Sequence, residues 1–590
     1  MVHLSAIVNG NADASSSGDK VSKLADQAAS LLRLSSDADD MTTSVYGSRF
    51  AEQDLPKLEM PERAMPREVA YRMIKDDLSL DNNPKLKYAL EEEAEKLMAD
   101  SLSKNFIDYE EYPQSADIQN RCVNMIGKLF HAPSGTSVGT SSVGSSEAIM
   151  LAVLAMKRRW KMRRQAEGKS TDRPNLIMSS AVQVCWEKAT RYFEIEEKFI
   201  NCTPTRFVID PEEMVASCDE NTIGCILILG TTYTGDYEDV KAVNDLLVHK
   251  NLHVPIHVDA ASGGFVAPFV VPDLQWDFRC EKVVSINVSG HKVGFPITMH
   301  EQAVPFPYPP SPNPQPRTSS KAKALTVAFF QYGLVYPGVG WVVWRAPEYL
   351  PQDLVFNIDY LGAQQSSFTL NFSKGASQVI GQYYQLIRLG KQGYRAIMSN
   401  LTRTADYLSD SLQEQGFVIM SKRSGRGLPL VAFRFAGPND KDGRDGRHYD
   451  EFALAHQLRC RGWVVPAYTM APNTNKMKML RVVVREDFTR ARCDVLIEDI
   501  KLCMGMLEEM DRDAVKTQEE YVKTHMLSSG KPRNAKHATH HYKVSQSVSQ
   551  SVMLGFFFRV GSDGTLTGSE PLQNEGHSLQ GKTGKTHSVC

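Results

Sequence analysis

Short runs of apolar, largely β-branched residues recur through the middle of the chain: NLIMSS (175–180), TIGCILILG (222–230), PIHVDAASGG (255–264) and VVSINVSGHK (283–292). They do not alternate strictly with polar residues, and they run into small-residue turns, the pattern of strands buried on both faces. Between them lie segments such as EDVKAVNDLLVHKN (238–251), whose apolar positions recur at helical spacing. Alternating β and α units of this kind predict an α/β fold, a mainly parallel sheet with helices on both faces. In such sheets ligands bind beyond the carboxyl ends of the strands, where the small-residue turns fall.

The same pattern divides the chain. Residues 1–54 are rich in Ser, Asp and Ala and read as a mobile arm. Residues 55–110 mix charged and apolar positions in helical style, as in REVAYRMIKDDLSL and ALEEEAEKLMADSLSKN. Residues 111–395 carry the βα units and are expected to form a large domain. In 396–512 the strands PLVAFRFAG and MKMLRVVVRE alternate with helices, predicting a smaller αβ domain, and 513–590 reads as a basic, largely disordered tail. Two segments break the pattern. Residues 293–331 hold eight prolines in 39 positions, directly after a predicted strand end, and 544–573 is a compositional stranger within the tail.

Composition narrows the function classes. The 590 residues are 42% hydrophobic and 23% charged, with 67 basic against 69 acidic side chains, as in a globular enzyme-sized protein. A net charge near zero supplies no general attraction to nucleic acid or anionic membrane. No stretch approaches the roughly 20 apolar residues of a membrane helix, and the opening residues hold no apolar signal core. The ten cysteines are scattered without a CxxC pair, which predicts reduced thiols in the cytoplasm and no metal site. His537, His540 and His541 read as part of a solvated tail.

Three elements carry candidate chemistry. Lys292, in Ser289-Gly290-His291-Lys292, presents an amine at a strand end, which can form a Schiff base with an aldehyde. Asp259 ends another apolar strand. The run Gly139 to Ser146, GTSSVGSS, precedes the apolar segment EAIMLAVLAMKRRW, and a serine-rich helix start makes a phosphate cradle. Taken singly, each has a plain reading: a surface lysine after a turn, a capping aspartate, a Ser/Gly loop. Together, a lysine, a strand-end carboxylate and a phosphate cradle are what pyridoxal phosphate asks of its protein.

The motifs HVDAASGGF, SINVSGHK, GSSEAIML, QVCWEK, NFSKGASQVI and LRVVVRE closely resemble those of glutamate decarboxylases, in the family's order over roughly 55–507. Their wording, and the end HSLQGKTGKTH, looks most like fungal members. The resemblance implies a fold-type-I pyridoxal phosphate enzyme with a mainly parallel seven-stranded sheet and a smaller C-terminal αβ domain. It implies decarboxylation of L-glutamate to 4-aminobutanoate by a homodimer or larger homo-oligomer. It also implies roles. Lys292 would carry the cofactor, His291 would lie beside it, and Asp259 would pair with the pyridine nitrogen. Ala261 and Gln183 would cover the two ring faces, with Thr232 near the ring oxygen. Ser145, Ser146 and Ser289 would bind the phosphate, completed by Phe372 and Ser373 of a neighbouring subunit. Arg481 would bind a substrate carboxylate, and Asn105 and Asp108 would reach the distal carboxylate pocket across the dimer interface.

The chain departs from the family in three places. Family members run from the lysine straight into Tyr-Gly, whereas here 293–331 intervenes before Tyr332. That segment and 544–573 both begin with Val, whose codons open with GT, and end with Gln, whose CAG codon closes with AG. Both read as translated introns, against the alternative of a lineage-specific loop. Near 84–90 the chain lacks an apolar, Thr-containing stretch that helps bind the distal carboxylate in relatives. The tail has no Trp-containing basic helix, so calmodulin binding is not supported. The rival readings are a pyridoxal phosphate decarboxylase of aspartate or cysteine sulfinate, and an inactive chain that keeps the fold.

Overall fold

The computed structural model describes residues 67–78, 90–133, 135, 137–290, 332–358, 365–437, 447–486 and 488–521. His291, Lys292, the segments 293–331 and 544–573, residues 84–89, and His537, His540 and His541 lie outside the described residues. The helix Arg67–Leu78 belongs to one compact unit, and the other described elements belong to a second.

The second unit is built on a seven-stranded sheet. Its strands are β1 (Val138–Ser142), β2 (Asn175–Ser179), β3 (Glu196–Ile200), β4 (Thr222–Ile228), β5 (Ile256–Asp259), β6 (Val283–Ser289) and β7 (Gly340–Trp344), in the order β1-β7-β6-β5-β4-β2-β3. The neighbours from β3 through β6 pair in parallel, and β7 runs antiparallel to both β6 and β1. The predicted α/β class and the mainly parallel seven-stranded sheet are therefore both present. Every residue of β2, β4, β5 and β6 is buried, which is why apolar residues predominate in these strands without strict alternation.

Helices cover both faces. On one side the helix Ser145–Ala166 packs Ile149, Val153, Met156 and Trp160 onto Leu176, Met178 and Ile226. On the other, Val123 and Ile126 of the helix Pro113–Leu129 and Val243 and Leu247 of the helix Val240–His249 join a cluster with Leu227, Val258 and Ile286. Short strands β8 (Phe356–Ile358) and β9 (Gln365–Ser367) form a separate hairpin. The long helical stretch Ser377–Glu414 is broken at Gly390, whose φ of 56° lies in the left-handed region that glycine tolerates.

Beyond it, β10 (Phe417–Ile419), β11 (Leu430–Phe435), β12 (Ala467–Thr469) and β13 (Lys478–Val483) form an antiparallel sheet ordered β10-β11-β13-β12. The helix Glu451–Cys460 lies between β11 and β12 in sequence and the helix Arg490–Glu509 follows β13, and each starts on a side-chain cap, Asp450 and Thr489. The chain continues as the helix Arg512–Tyr521, at the start of the stretch read from sequence as tail. This second sheet touches the first at the turn after β4: Leu428 donates its N–H to Gly235 O at 2.8 Å, and Asp236 bridges Gly427. Among the described residues no helix is long and apolar enough to cross a membrane.

Candidate active site

Register brings the functional residues to one edge of the sheet. Asp259 is the last residue of β5, aligned with Ile228 at the end of β4 and with Asn287 on β6. Ser142 of β1 and Ser289 of β6 both align with Gly340 of β7, so these strand ends lie side by side. Gly340 is required there: a Cβ would sit 2.6 Å from the main chain of Gly144. Gly144, at φ 80°, turns the chain into the helix Ser145–Ala166. Ser145 and Ser146 thus open a 22-residue helix beside Ser289, with first-turn N–H groups of the kind that bind phosphate.

A pocket opens at these ends, lined by Ala181, Gln183, Ile228, Gly230, Thr232, Asp259, Ala261 and Ser262. Four residues predicted from sequence, Gln183, Thr232, Asp259 and Ala261, share this lining. Gln183 is the N-cap of the helix Val184–Tyr192, and its amide donates to Thr232 Oγ1. Ser289 joins them through its N–H, 3.3 Å from Ala261 O. Arg481 arrives from β13: one guanidinium nitrogen donates to Thr232 O and another to the hydroxyl of Tyr468 at 3.0 Å. Arg481 is only 3% exposed, and among the described residues no carboxylate lies within ion-pair distance of it.

Asp259 is the most heavily supported of these groups. Its Oδ2 accepts the Trp186 indole N–H at 2.8 Å, and its Oδ1 accepts from Asn287 Nδ2 at 3.0 Å and from Ala261 N–H at 3.1 Å. Behind it, His257 meets Asn287 Oδ1 through Nε2 and Ser285 Oγ through Nδ1, both at 2.7 Å. Because Asn287 presents its amide hydrogen to Asp259, its Oδ1 must accept, so Nε2 of His257 carries the proton and Nδ1 accepts from Ser285. Burial pushes the His257 pKa down to about 4, so the ring is neutral at physiological pH. Glu238 lies behind the end of β4, accepting the N–H of Ile228 at 2.7 Å and of Ile209 at 3.2 Å, and burial raises its pKa to about 7.

The remaining predicted residues form a second cluster. Asn105 donates to Ser373 Oγ at 3.4 Å and accepts the Lys374 N–H at 3.2 Å, while the N–H of Asp108 donates to Asn105 O at 3.2 Å. Phe372 is 47% exposed. None of these four lines the pocket. Trp186, Asn287, His257, Glu238 and Tyr468 were not singled out from sequence. The first three sit inside quoted motifs, so the residue types were visible while their partners were not.

The pyridoxal-dependent decarboxylase conserved domain matches residues 84–298 and 316–436. The chain belongs to that family. It is 47% identical over 490 residues to a glutamate decarboxylase of Petunia hybrida, covering 81% of this chain and 88% of that protein. Glutamate decarboxylase 1 of Arabidopsis thaliana is 47% identical over 489 residues, covering 80% and 88%. Among solved structures, the glutamate decarboxylase of Lactobacillus brevis superposes with a TM-score of 0.67 at 37% identity, over 79% of this chain and 98% of that one.

The residues present fit the cofactor of this family. Ser289 Oγ, at the phosphate end, and Arg481 Nε, at the other, are buried without a hydrogen-bond partner among the described residues. Asp259 lines the pocket itself. A phosphate, a pyridine nitrogen and a substrate carboxylate are the groups that such a set can receive.

Proposed function

We infer that this chain is a pyridoxal phosphate-dependent glutamate decarboxylase, converting L-glutamate to 4-aminobutanoate and carbon dioxide. The observation that carries the substrate side is the buried Arg481 guanidinium, without a carboxylate partner among the described residues and tied to the pocket through Thr232. Burying a cation costs several kcal/mol unless an anion joins it, so the position favours a carboxylate ligand.

In this reading Lys292 carries the cofactor, with His291 beside it, and Ser145, Ser146 and Ser289 hold its phosphate. Asp259 faces the pyridine nitrogen, while Ala261 and Gln183 lie on the ring's two faces. The bound cofactor supplies a sink for the electron pair released at Cα when carbon dioxide leaves. The protein's own residues supply aim and charge. Three donated hydrogen bonds fix the Asp259 carboxylate, so its negative charge stands at one place before the reaction begins. Thr232 lies near the ring oxygen, and Arg481 orients the substrate, which sets which bond to Cα is broken.

Asn105, Asp108, Phe372 and Ser373 complete the site of a second copy in a homodimer. Their separation from this chain's own pocket and the exposure of Phe372 support that reading. The compartment is cytoplasmic, as scattered free cysteines favour. The likeness to fungal members rests on the wording of the motifs. Segments 293–331 and 544–573 are translated introns; the family domain is interrupted inside the first of them, at residues 299–315, and ends before the second.

The test is product analysis with L-glutamate, L-aspartate and L-cysteine sulfinate, each supplied with pyridoxal phosphate, in a chain lacking 293–331. 4-Aminobutanoate as the dominant product is expected. Faster turnover of either shorter substrate would overturn the assignment, and no bound cofactor would favour the inactive-chain reading.

A further inference from the structure

Lys374 has no part in the chemistry above, yet it stands between the two clusters of site residues. Its main chain is zipped to the segment that carries Asn105: its N–H donates to Asn105 Oδ1, its carbonyl accepts from Phe106 N–H at 3.0 Å, and Ala376 N–H donates to Lys104 O at 3.0 Å. Its ammonium turns the other way, donating to Ser141 O at 2.7 Å, Ser141 Oγ at 2.9 Å and Gln119 Oε1 at 3.0 Å. Thr140 Oγ1 stands further off at 3.4 Å, and the Phe106 ring lies 5.3 Å from the ammonium. Burial lowers the lysine pKa to about 8, with Glu147 opposing the shift.

Glu147 makes a second tie. One carboxylate oxygen accepts Asn371 N–H at 3.0 Å and the other accepts Val143 N–H at 2.6 Å. The strip Asn371 to Lys374 is therefore fastened at both ends to the turn that runs from Ser141 to Glu147, the same turn that presents Ser145 and Ser146. Fastening by charged groups is directional: an apolar side chain of equal length could fill the space at Lys374 but could not fix the register of the strip.

We propose that Lys374 is a positioning residue, which registers the strip bearing Phe372 and Ser373, and with it Asn105, against the phosphate turn of its own chain. It rests on the reading that this strip completes the site of a second copy. The consequence is that one subunit's phosphate turn and its partner's phosphate and substrate contacts form a single rigid piece. A loose lysine would blur both.

The experiment compares wild type, Lys374→Met and Lys374→Arg in the chain lacking 293–331. Cofactor affinity is read by absorption titration, glutamate kcat and KM are measured, and the melting temperature of the cofactor-free protein is recorded. Lys374→Met is expected to weaken cofactor binding by about tenfold, the scale of a lost charged hydrogen-bond set. It should also raise KM by more than it lowers kcat, and Lys374→Arg should restore most of both. A Lys374→Met protein with a lower melting temperature but unchanged cofactor affinity and KM would reduce Lys374 to a structural role and overturn the proposal. Were that variant insoluble, Gln119→Leu removes one acceptor of the ammonium and should give a smaller loss of the same kind, and no loss would count against the proposal. The cofactor titration needs no substrate. Loss of affinity in Lys374→Met alongside a wild type that ignores glutamate would therefore refute the substrate assignment and leave the positioning role standing.

Discussion

Trp186 donates its indole N–H to Oδ2 of Asp259 at 2.8 Å, across 73 residues of sequence. With Asn287 and Ala261 on the other oxygen, the carboxylate is surrounded by donors. Asp259→Asn would turn an amide N–H₂ toward at least one of these donors, a clash that costs about 1–3 kcal/mol when buried. The substitution should also lower kcat by about a hundredfold or more, because a neutral amide supplies no preorganised charge. Cofactor should stay bound through its phosphate. Measuring kcat beside cofactor content checks both halves, and near-normal kcat would disprove the assigned role.

Lys292→Ala should abolish turnover and remove the visible absorption band of bound cofactor, while the far-ultraviolet circular dichroism stays native. Among the described residues that line the pocket there is no lysine. Wild-type-like turnover in that variant would sink the assignment of the amine.

How much of this was legible in the sequence varies with the kind of signal. Strands β2, β4, β5 and β6 announce themselves because full burial on both faces selects runs in which apolar residues predominate. Strand β1, VGTSS, does not: it carries small and polar residues and was read as part of a loop. Its strand character comes from pairing with β7 some two hundred residues later, which leaves no local trace. Strand β3, EEKFI, sits at the sheet edge with a largely polar surface, so it shows no apolar run. In the site, chemically distinctive residues such as Asp259 and Arg481 were readable from motif context. Their supports were not, because the Trp186–Asp259 and Lys374–Ser141 contacts join distant segments whose side chains have many ordinary uses.

Glu238 gives a pH prediction with a definite sign. Burial holds its folded-state pKa near 7, above an unfolded value of 4.5, so the folded protein binds the extra proton between those values. Stability from this group is fully present below about pH 4.5 and is lost as pH rises through 7. His257 acts in the opposite sense, since its pKa is depressed to about 4 and folding is favoured as pH rises from there to 6.5. The difference between wild type and Glu238→Gln isolates the first effect. The variant's amide meets the N–H of Ile228 or Ile209, an offset present at every pH, so the signature is the change in the midpoint difference, which should move in favour of the variant between about pH 5 and 8. A difference that stays flat across that range would show that Glu238 does not titrate there.

The final prediction concerns the segment that follows Lys292. Gly290 and Gly333 lie in direct contact, since a Cβ on Gly333 would fall 2.5 Å from Gly290 O. Gly290 is tied to Val339 O at 3.1 Å, and Gly333 O accepts from Gln382 Nε2 at 2.8 Å and Tyr394 OH at 3.1 Å. The two ends are thus anchored next to one another. Removing residues 293–331 would leave His291 and Lys292 to join Gly290 to Tyr332, and three trans Cα steps reach up to about 11 Å. The join therefore needs no rearrangement of either anchor. Keeping the long segment costs little stability, since each doubling of loop length adds only about 0.6 kcal/mol. Position is the sensitive quantity, because a displacement of about 1 Å at a reacting group can cost roughly a hundredfold in rate. With 293–331 removed, Lys292 would stand two residues after Gly290 and directly before Tyr332, whereas in the full chain only Gly290 is close to it in sequence. Deleting 293–331 is therefore expected to raise kcat/KM for glutamate at least several-fold, with little change in the urea midpoint. Equal kcat/KM in two demonstrably active proteins, with and without the segment, would make 293–331 a tolerated loop rather than an intrusion.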